Sequence, residues 1–322
     1  MKIGLYSITF LGIWYRGRAL SMEEVVDRAA AIGFDGIEID GKRPHGNPMD
    51  WDDRARRAFR DLCAQRGLEI VGVASNNDFS SPVPEHRECQ LLMVREQIRL
   101  CRDLSGRIVR VFFAWPGVTL DAQGLAAYEF ARTMWAENSR YSTRRQQWTF
   151  VRDCLKEAAR MAEDAGVILA LQNHVPLLRH YRDMLDMIAE VDSPALRACL
   201  DVPILERQDN AYVRQAVLET GRLQVHSHFG GEFERGPDGK VRQRQYEFDR
   251  PLANYSTFVR ALKETGYDGY FCFEFCHPAL DQRHEMQGLE YVEEQTRLAF
   301  AYLRDLLVAE GVYSGRAVPV SR

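Results

Sequence analysis

Short apolar runs bounded by turn residues alternate with longer amphipathic stretches along the whole chain. The clearest run is Val167-Ile168-Leu169-Ala170-Leu171, which follows Gly166 and stops in Gln172-Asn173-His174. A run so short, with no polar face, reads as a strand buried in a parallel sheet. Side chains alternate along a strand, so Gln172 and His174 point one way and Asn173 the other. Three later runs repeat the design. Arg197-Ala198-Cys199-Leu200 ends in Asp201, Leu223-Gln224-Val225 in His226-Ser227-His228, and Tyr270-Phe271-Cys272-Phe273 in Glu274. Four earlier strands are expected over residues 2–6, 36–40, 68–74 and 108–113.

The stretches between these runs carry helical spacing. Ser21 and Glu24 form a capping box ahead of Val25, Ala29 and Ile32 on one face, and Gly33 stops that helix. Further helices are expected over 52–66, through Leu91, Val94, Ile98 and Leu100, and over 149–165, 181–190, 211–220, 255–265 and 287–309. Two strand-to-helix connections are long. Residues 118–146 hold Tyr128, Phe130, Trp135, Tyr141 and several arginines, and suggest a lid or a partner surface. Residues 230–254 are charged, with Glu232, Glu234, Arg235, Arg242 and Arg244. Eight strand–helix units in strict alternation imply an α/β fold with a parallel sheet. At this length they favour a single (β/α)8 TIM barrel over residues 1–322, with long loops after strands four and seven. No G-x-G-x-x-G follows the first strand and no P-loop is present, which disfavours a nucleotide-binding open sheet.

Composition narrows the function classes. The chain has 322 residues, 46% hydrophobic and 27% charged, with a formal net charge of -4. Mild acidity argues against a nucleic-acid backbone as partner. No apolar run approaches the ~20 residues of a membrane span, and no signal-peptide pattern opens the chain. The seven cysteines show no C-x-x-C pairing, as expected of free thiols in a cytoplasmic protein. Arg43, Arg110, Arg144, Arg145 and Arg235 read mainly as solvated surface, with Arg235 placed to reach a sugar oxygen. No dense basic cluster marks a phosphate site.

In a (β/α)8 barrel the carboxyl ends of the strands meet at one rim, where active sites form. Gln172, Asp201, His226 or His228, and Glu274 are expected to converge there. Two carboxylates, an imidazole and an amide oxygen suit a divalent cation such as Mn²⁺, Mg²⁺, Co²⁺ or Fe²⁺, whereas a structural zinc site would favour thiolate. Glu274, between two phenylalanines, needs a partner to offset its desolvation.

From Lys2 to about Leu307 the pattern resembles the xylose-isomerase-like barrel superfamily, often labelled sugar phosphate isomerase/epimerase. The resemblance implies metal ligands at the ends of strands five to eight, here Gln172, Asp201, His228 and Glu274. His228 is preferred over His226 because the second histidine of H-x-H is the usual ligand there. Family epimerases carry glutamate at the strand-five position and use it as one of two proton-shuttling ligands. An amide accepts no proton at neutral pH, so Gln172 counts against a symmetric two-glutamate epimerisation. His174, one pleat beyond on the same face, is then the candidate base beside Glu274.

Leu169-Ala170-Leu171-Gln172-Asn173-His174 and Gln224-Val225-His226-Ser227-His228-Phe229-Gly230-Gly231 are similar to the large subunits of bacterial C-glycoside deglycosidases. That resemblance implies Mn²⁺, carbon–carbon cleavage of a 3-oxo-C-glycoside, and a small β-sandwich partner subunit in a hetero-oligomer. A keto-sugar isomerase or epimerase is the alternative, and a non-catalytic sugar-binding subunit a more distant one. A DNA-repair barrel is disfavoured, since strand three ends in Ser75-Asn76-Asn77 rather than histidine.

Overall fold

The computed structural model describes residues 1–245, 251–281 and 283–316. Eight parallel strands close into a barrel: Lys2–Tyr6, Gly36–Asp40, Glu69–Ala74, Ile108–Val111, Ile168–Gln172, Leu196–Cys199, Gln224–Gly230 and Tyr270–Glu274. Each pairs with its sequence neighbour, and the eighth closes on the first through Ile3 opposite Phe271 and Leu5 opposite Phe273. Closure removes both sheet edges and fills the interior with inward-facing side chains. The expected fold is therefore present.

Helices α1 (Met22–Ile32), α2 (Asp53–Gln65), α3 (Pro84–Asp103), α5 (Arg144–Ala165), α6 (Tyr181–Val191), α7 (Asn210–Thr220), α8 (Tyr255–Thr265) and α9 (Leu289–Ala309) follow barrel strands. The Ser21/Glu24 capping box forms, and Gly33 closes α1 with a φ of 110°. α5 begins five residues earlier than its apolar spacing suggests, because Thr143 and Gln146 make a second capping box. Gly72 on strand three is required by a close approach: a Cβ there would stand 2.0 Å from the Ile108 carbonyl oxygen of strand four. No helix among the described residues is long and apolar enough to cross a membrane.

The long connections have structure of their own. After strand four a small hairpin, Thr119–Leu120 with Ala126–Ala127, leads into α4 (Glu129–Ser139). Three side chains tie this segment across the carboxyl rim. Tyr128 donates to the Cys276 carbonyl at 2.9 Å, Trp135 to Ser80 Oγ at 3.0 Å and Asn138 to Ser81 Oγ at 3.2 Å. After strand seven, Glu232–Arg235 pairs antiparallel with Val241–Arg244. That hairpin packs on α9, where buried Glu232 meets Arg244 and the Tyr291 hydroxyl. Residues 246–250 of the expected 230–254 loop lie outside the described residues.

Candidate active site

Five of the site positions sit at strand ends for a local reason. Strands five and six stop at Gln172 and Cys199, and Asn173 links them: its amide donates to the Asp201 carbonyl, and Asp201 N–H donates to Asn173 Oδ1 at 2.8 Å. Asp201 occupies the N-cap position of the short 3-10 turn Val202–Ile204, yet its carboxylate caps nothing. The carboxylate turns inward instead, where Oδ1 accepts from the His228 backbone N–H at 2.7 Å and Oδ2 lies 3.0 Å from His228 Nδ1. Strand seven runs longer than its apolar core, through Gly230, so His226 and His228 share its inner face.

The two histidines part company at their ring nitrogens. His228 touches Asp201 through Nδ1 and Glu38 Oε2 through Nε2 at 2.6 Å. The His226 ring bonds to Glu38 at 3.1 Å, and among the described residues its Nδ1 has no hydrogen-bond partner. Both rings are wholly buried. Geometry thus sets His228, not His226, beside Asp201.

Glu38 and Arg110 belong to the site although their sequence positions did not assign them to it. Arg110 is not solvated surface: it is only 3% exposed on strand four. Its Nε stands 3.1 Å from Glu38 Oε1, its Nη1 donates to Gln172 Oε1 at 3.1 Å, and Nη1 lies 3.8 Å from Glu274 Oε2. The guanidinium packs over the Tyr6 ring at 4.5 Å and near Phe112 at 5.2 Å. Gln172 in turn donates through Nε2 to Asp201 Oδ2. Gln172, Asp201 and His228 are therefore brought together by direct contacts, while Glu274 meets this set through Arg110. A charged residue amid branched apolar ones, as in Ile108-Val109-Arg110-Val111 and Ile37-Glu38-Ile39, was the available signal.

Burial and charge act against each other here. Burial works to raise the carboxyls of Glu38 and Asp201, but His228 and Arg110 beside Glu38, and His228 beside Asp201, hold both below the usual range. Burial dominates at Glu274 and pushes it up. Burial disfavours a charged His228, yet Glu38 and Asp201 raise it well above its ordinary value.

A small pocket, with a cavity volume of about 50 Å³, opens above this network. Trp14, Phe112, Trp115, Tyr128 and Val118 wall it, and Lys42, Asn76, Arg110, Gln172, His174 and Glu274 supply its polar lining. His174 stands edge-on between Trp115 and Phe112, with ring centres 4.9 and 5.5 Å away. Its Nδ1 bonds to the Val175 carbonyl, so Nδ1 carries the proton and Nε2 the lone pair. Burial lowers its pKa to about 4, leaving the ring neutral at pH 7. Arg235 does not reach the pocket; it donates to Gly239 O within its own hairpin.

The donor set fits a divalent cation. Two buried carboxylates, Glu38 and Asp201, and the partly exposed Glu274 stand with one guanidinium, which leaves two negative charges unbalanced. The 3.0 Å between Asp201 Oδ2 and His228 Nδ1 is also the gap between neighbouring ligands on an ion with bonds of about 2.1 Å at right angles. Cys199, Asp201 and His228 have donor atoms within 4.8 Å of one another, as do Glu38, His226 and Cys272.

Comparison with known proteins agrees with this architecture. A D-psicose 3-epimerase from Clostridium cellulolyticum H10 superposes with a TM-score of 0.67 at 16% identity, covering 95% of this chain and 99% of that one. An L-ribulose 3-epimerase gives 0.65 at 20% identity, with 99% of each chain covered. A 3-keto-D-glucoside 4-epimerase from E. coli gives 0.62 at 17%, covering 93% and 99%. No curated protein matches the sequence significantly. The model of the xylose isomerase-like TIM barrel matches residues 26–301, and the chain belongs to that family.

Proposed function

We propose that this chain is a divalent-metal-dependent enzyme that moves a proton beside the carbonyl of a keto-sugar, as an isomerase or epimerase does. One observation carries the reading: the Asp201–His228 pair, 3.0 Å apart, lies behind a pocket into which both Glu274 and His174 project. Asp201, His228 and Glu274 would hold the cation, with Gln172 the fourth member of the expected set. Bound there, the metal supplies a Lewis acid for the oxygens of a hydroxy-ketone. Glu38 accepts from His228 Nε2–H, which leaves Nδ1 free to ligate. Proton transfer falls to two groups. Glu274 can carry a proton on its carboxyl, and His174 can accept one at Nε2, since Gln172 can do neither. Trp115 and Tyr128 offer apolar faces to a sugar ring and keep water from the reacting carbon. The keto-sugar class draws support from the named activities of the fold relatives, the psicose, ribulose and 3-keto-glucoside epimerases.

The test is deuterium wash-in. Metal-loaded protein is incubated in D2O with a ketohexose and with a 3-oxo-glucoside, and the carbon-bound protons are followed by NMR. Exchange that stops on chelation supports the reading. A metal-bound protein that exchanges no carbon-bound proton of any keto-sugar would sink it.

A second reading has its own observation. Strand five offers an amide in place of a carboxylate, and the pocket is walled by Trp14, Phe112, Trp115 and Tyr128. One proton acceptor and an aryl-accepting wall suit β-elimination of a 3-oxo-C-glycoside. The 3-oxo group acidifies the C2 proton, its removal breaks the C1–aryl bond, and the aryl carbon leaves with a proton. Mn²⁺ as the metal, a small β-sandwich partner subunit and a cytoplasmic setting belong with that reading. Release of free aglycone from a 3-oxo-C-glucoside, with and without the product of a neighbouring small reading frame, separates it from the first.

A further inference from the structure

We infer that Gln172 is not a ligand of the cation. It is a positioning residue locked by Arg110, and the protein ligands are Asp201, His228 and Glu274. The inference rests on the metal reading above and departs from the four-ligand set that the strand ends suggest.

An amide has two unlike ends, and its neighbours decide which way it faces. A guanidinium only donates hydrogen bonds and an ionised carboxylate only accepts them. Gln172 lies between one of each: Arg110 Nη1–H donates to its Oε1 at 3.1 Å, and its Nε2–H donates to Asp201 Oδ2. The reversed amide would set N–H against N–H at Arg110 and oxygen against carboxylate at Asp201, so one orientation survives. The end directed at Asp201 Oδ2, the oxygen 3.0 Å from His228 Nδ1, is thus an N–H with no lone pair to offer.

The oxygen is committed elsewhere, and its partner cannot move aside. Arg110 is pinned by Glu38 at 3.1 Å and packed over Tyr6 at 4.5 Å, with 3% of its surface exposed. A second cation drawn to Oε1 would face that fixed positive charge. A carboxylate at this position has two oxygens and could serve Arg110 with one and a metal with the other. An amide has one. What Gln172 does is hold Asp201 Oδ2 in place through its N–H. The cation then keeps one more open position than a four-residue set leaves, on the side where the pocket admits a chelating hydroxy-ketone.

The experiment uses the full chain loaded with Mn²⁺, with glutamine labelled with ¹³C at the side-chain carbonyl. Electron–nuclear double resonance of the wild-type protein is expected to show no strong ¹³C coupling, and a strong coupling would overturn the inference. Independently, ¹⁷O-water relaxation counts the waters on the bound Mn²⁺. Gln172→Met is expected to leave that count unchanged while weakening Mn²⁺ binding by about 10–100-fold, the usual effect of losing a group that orients a ligand. One additional water in the variant would show that a ligand had been removed, and would likewise overturn it. Wild-type protein that takes up no Mn²⁺ would overturn the metal reading itself, and this inference with it; a strong coupling or an extra water leaves that reading standing.

Discussion

Replacing Arg110 with methionine removes the only positive charge among the described residues in contact with Glu38 other than the histidines, and it does so without opening a large cavity. Glu38 is 1% exposed and Arg110 3%. Their 3.1 Å contact corresponds to about 5 kcal/mol of attraction at an effective dielectric of about 20. Desolvation of the two ions offsets much of that when they are considered together, but the variant keeps the desolvated carboxylate and loses its partner. The expected cost is therefore about 3–5 kcal/mol. It would be measured as the shift in urea midpoint of chelated protein, followed by tryptophan fluorescence at pH 7. The cause is tested by a double-mutant cycle. In the Arg110→Met background, Glu38→Gln should be less damaging than in the wild type, with a coupling of about 1.5–3 kcal/mol. If Arg110→Met costs under about 1 kcal/mol, or the two changes simply add, the buried ion pair does not hold this site together.

Four further outcomes are expected. His228→Ala should weaken Mn²⁺ or Co²⁺ binding by at least about 100-fold in isothermal titration, while His226→Gln, which hydrogen-bonds Glu38 and not Asp201, should stay within about tenfold. His174→Ala should slow deuterium wash-in by about 10²–10⁴-fold with metal affinity unchanged, as for loss of a general base. Chelated protein should lose stability as pH rises above 6.5, since the raised folded pKa of His228 contributes fully only below its unfolded value, and metal loading should flatten that limb. Stability should fall again below about pH 4.5, as Glu38 and Asp201 are protonated through their depressed folded values, and Glu38→Gln should lessen that loss; urea midpoints across pH test both limbs.

The barrel was legible in the sequence because its signals are local. Apolar runs, capping boxes such as Ser21/Glu24 and glycine stops such as Gly33 each declare one element, and eight in alternation leave few topologies. The rim residues Gln172, Asp201, His228 and Glu274 were legible for the same reason, since each stands where an apolar run ends. The sequence could also say that a strand-five amide carries no proton. Tertiary structure alone decided the rest. Whether His226 or His228 meets Asp201 depends on where strands six and seven stand in register, and that register shifts between Ala198 and Cys199. The part played by Arg110 and Glu38 was invisible because they come from strands four and two, distant in sequence, and a lone arginine mid-strand is read as solvated until closure shows there is no solvent to reach. Which way the Gln172 amide faces was likewise undecidable from its neighbours in sequence. It is set by a guanidinium on one side and a carboxylate on the other, both delivered by barrel closure.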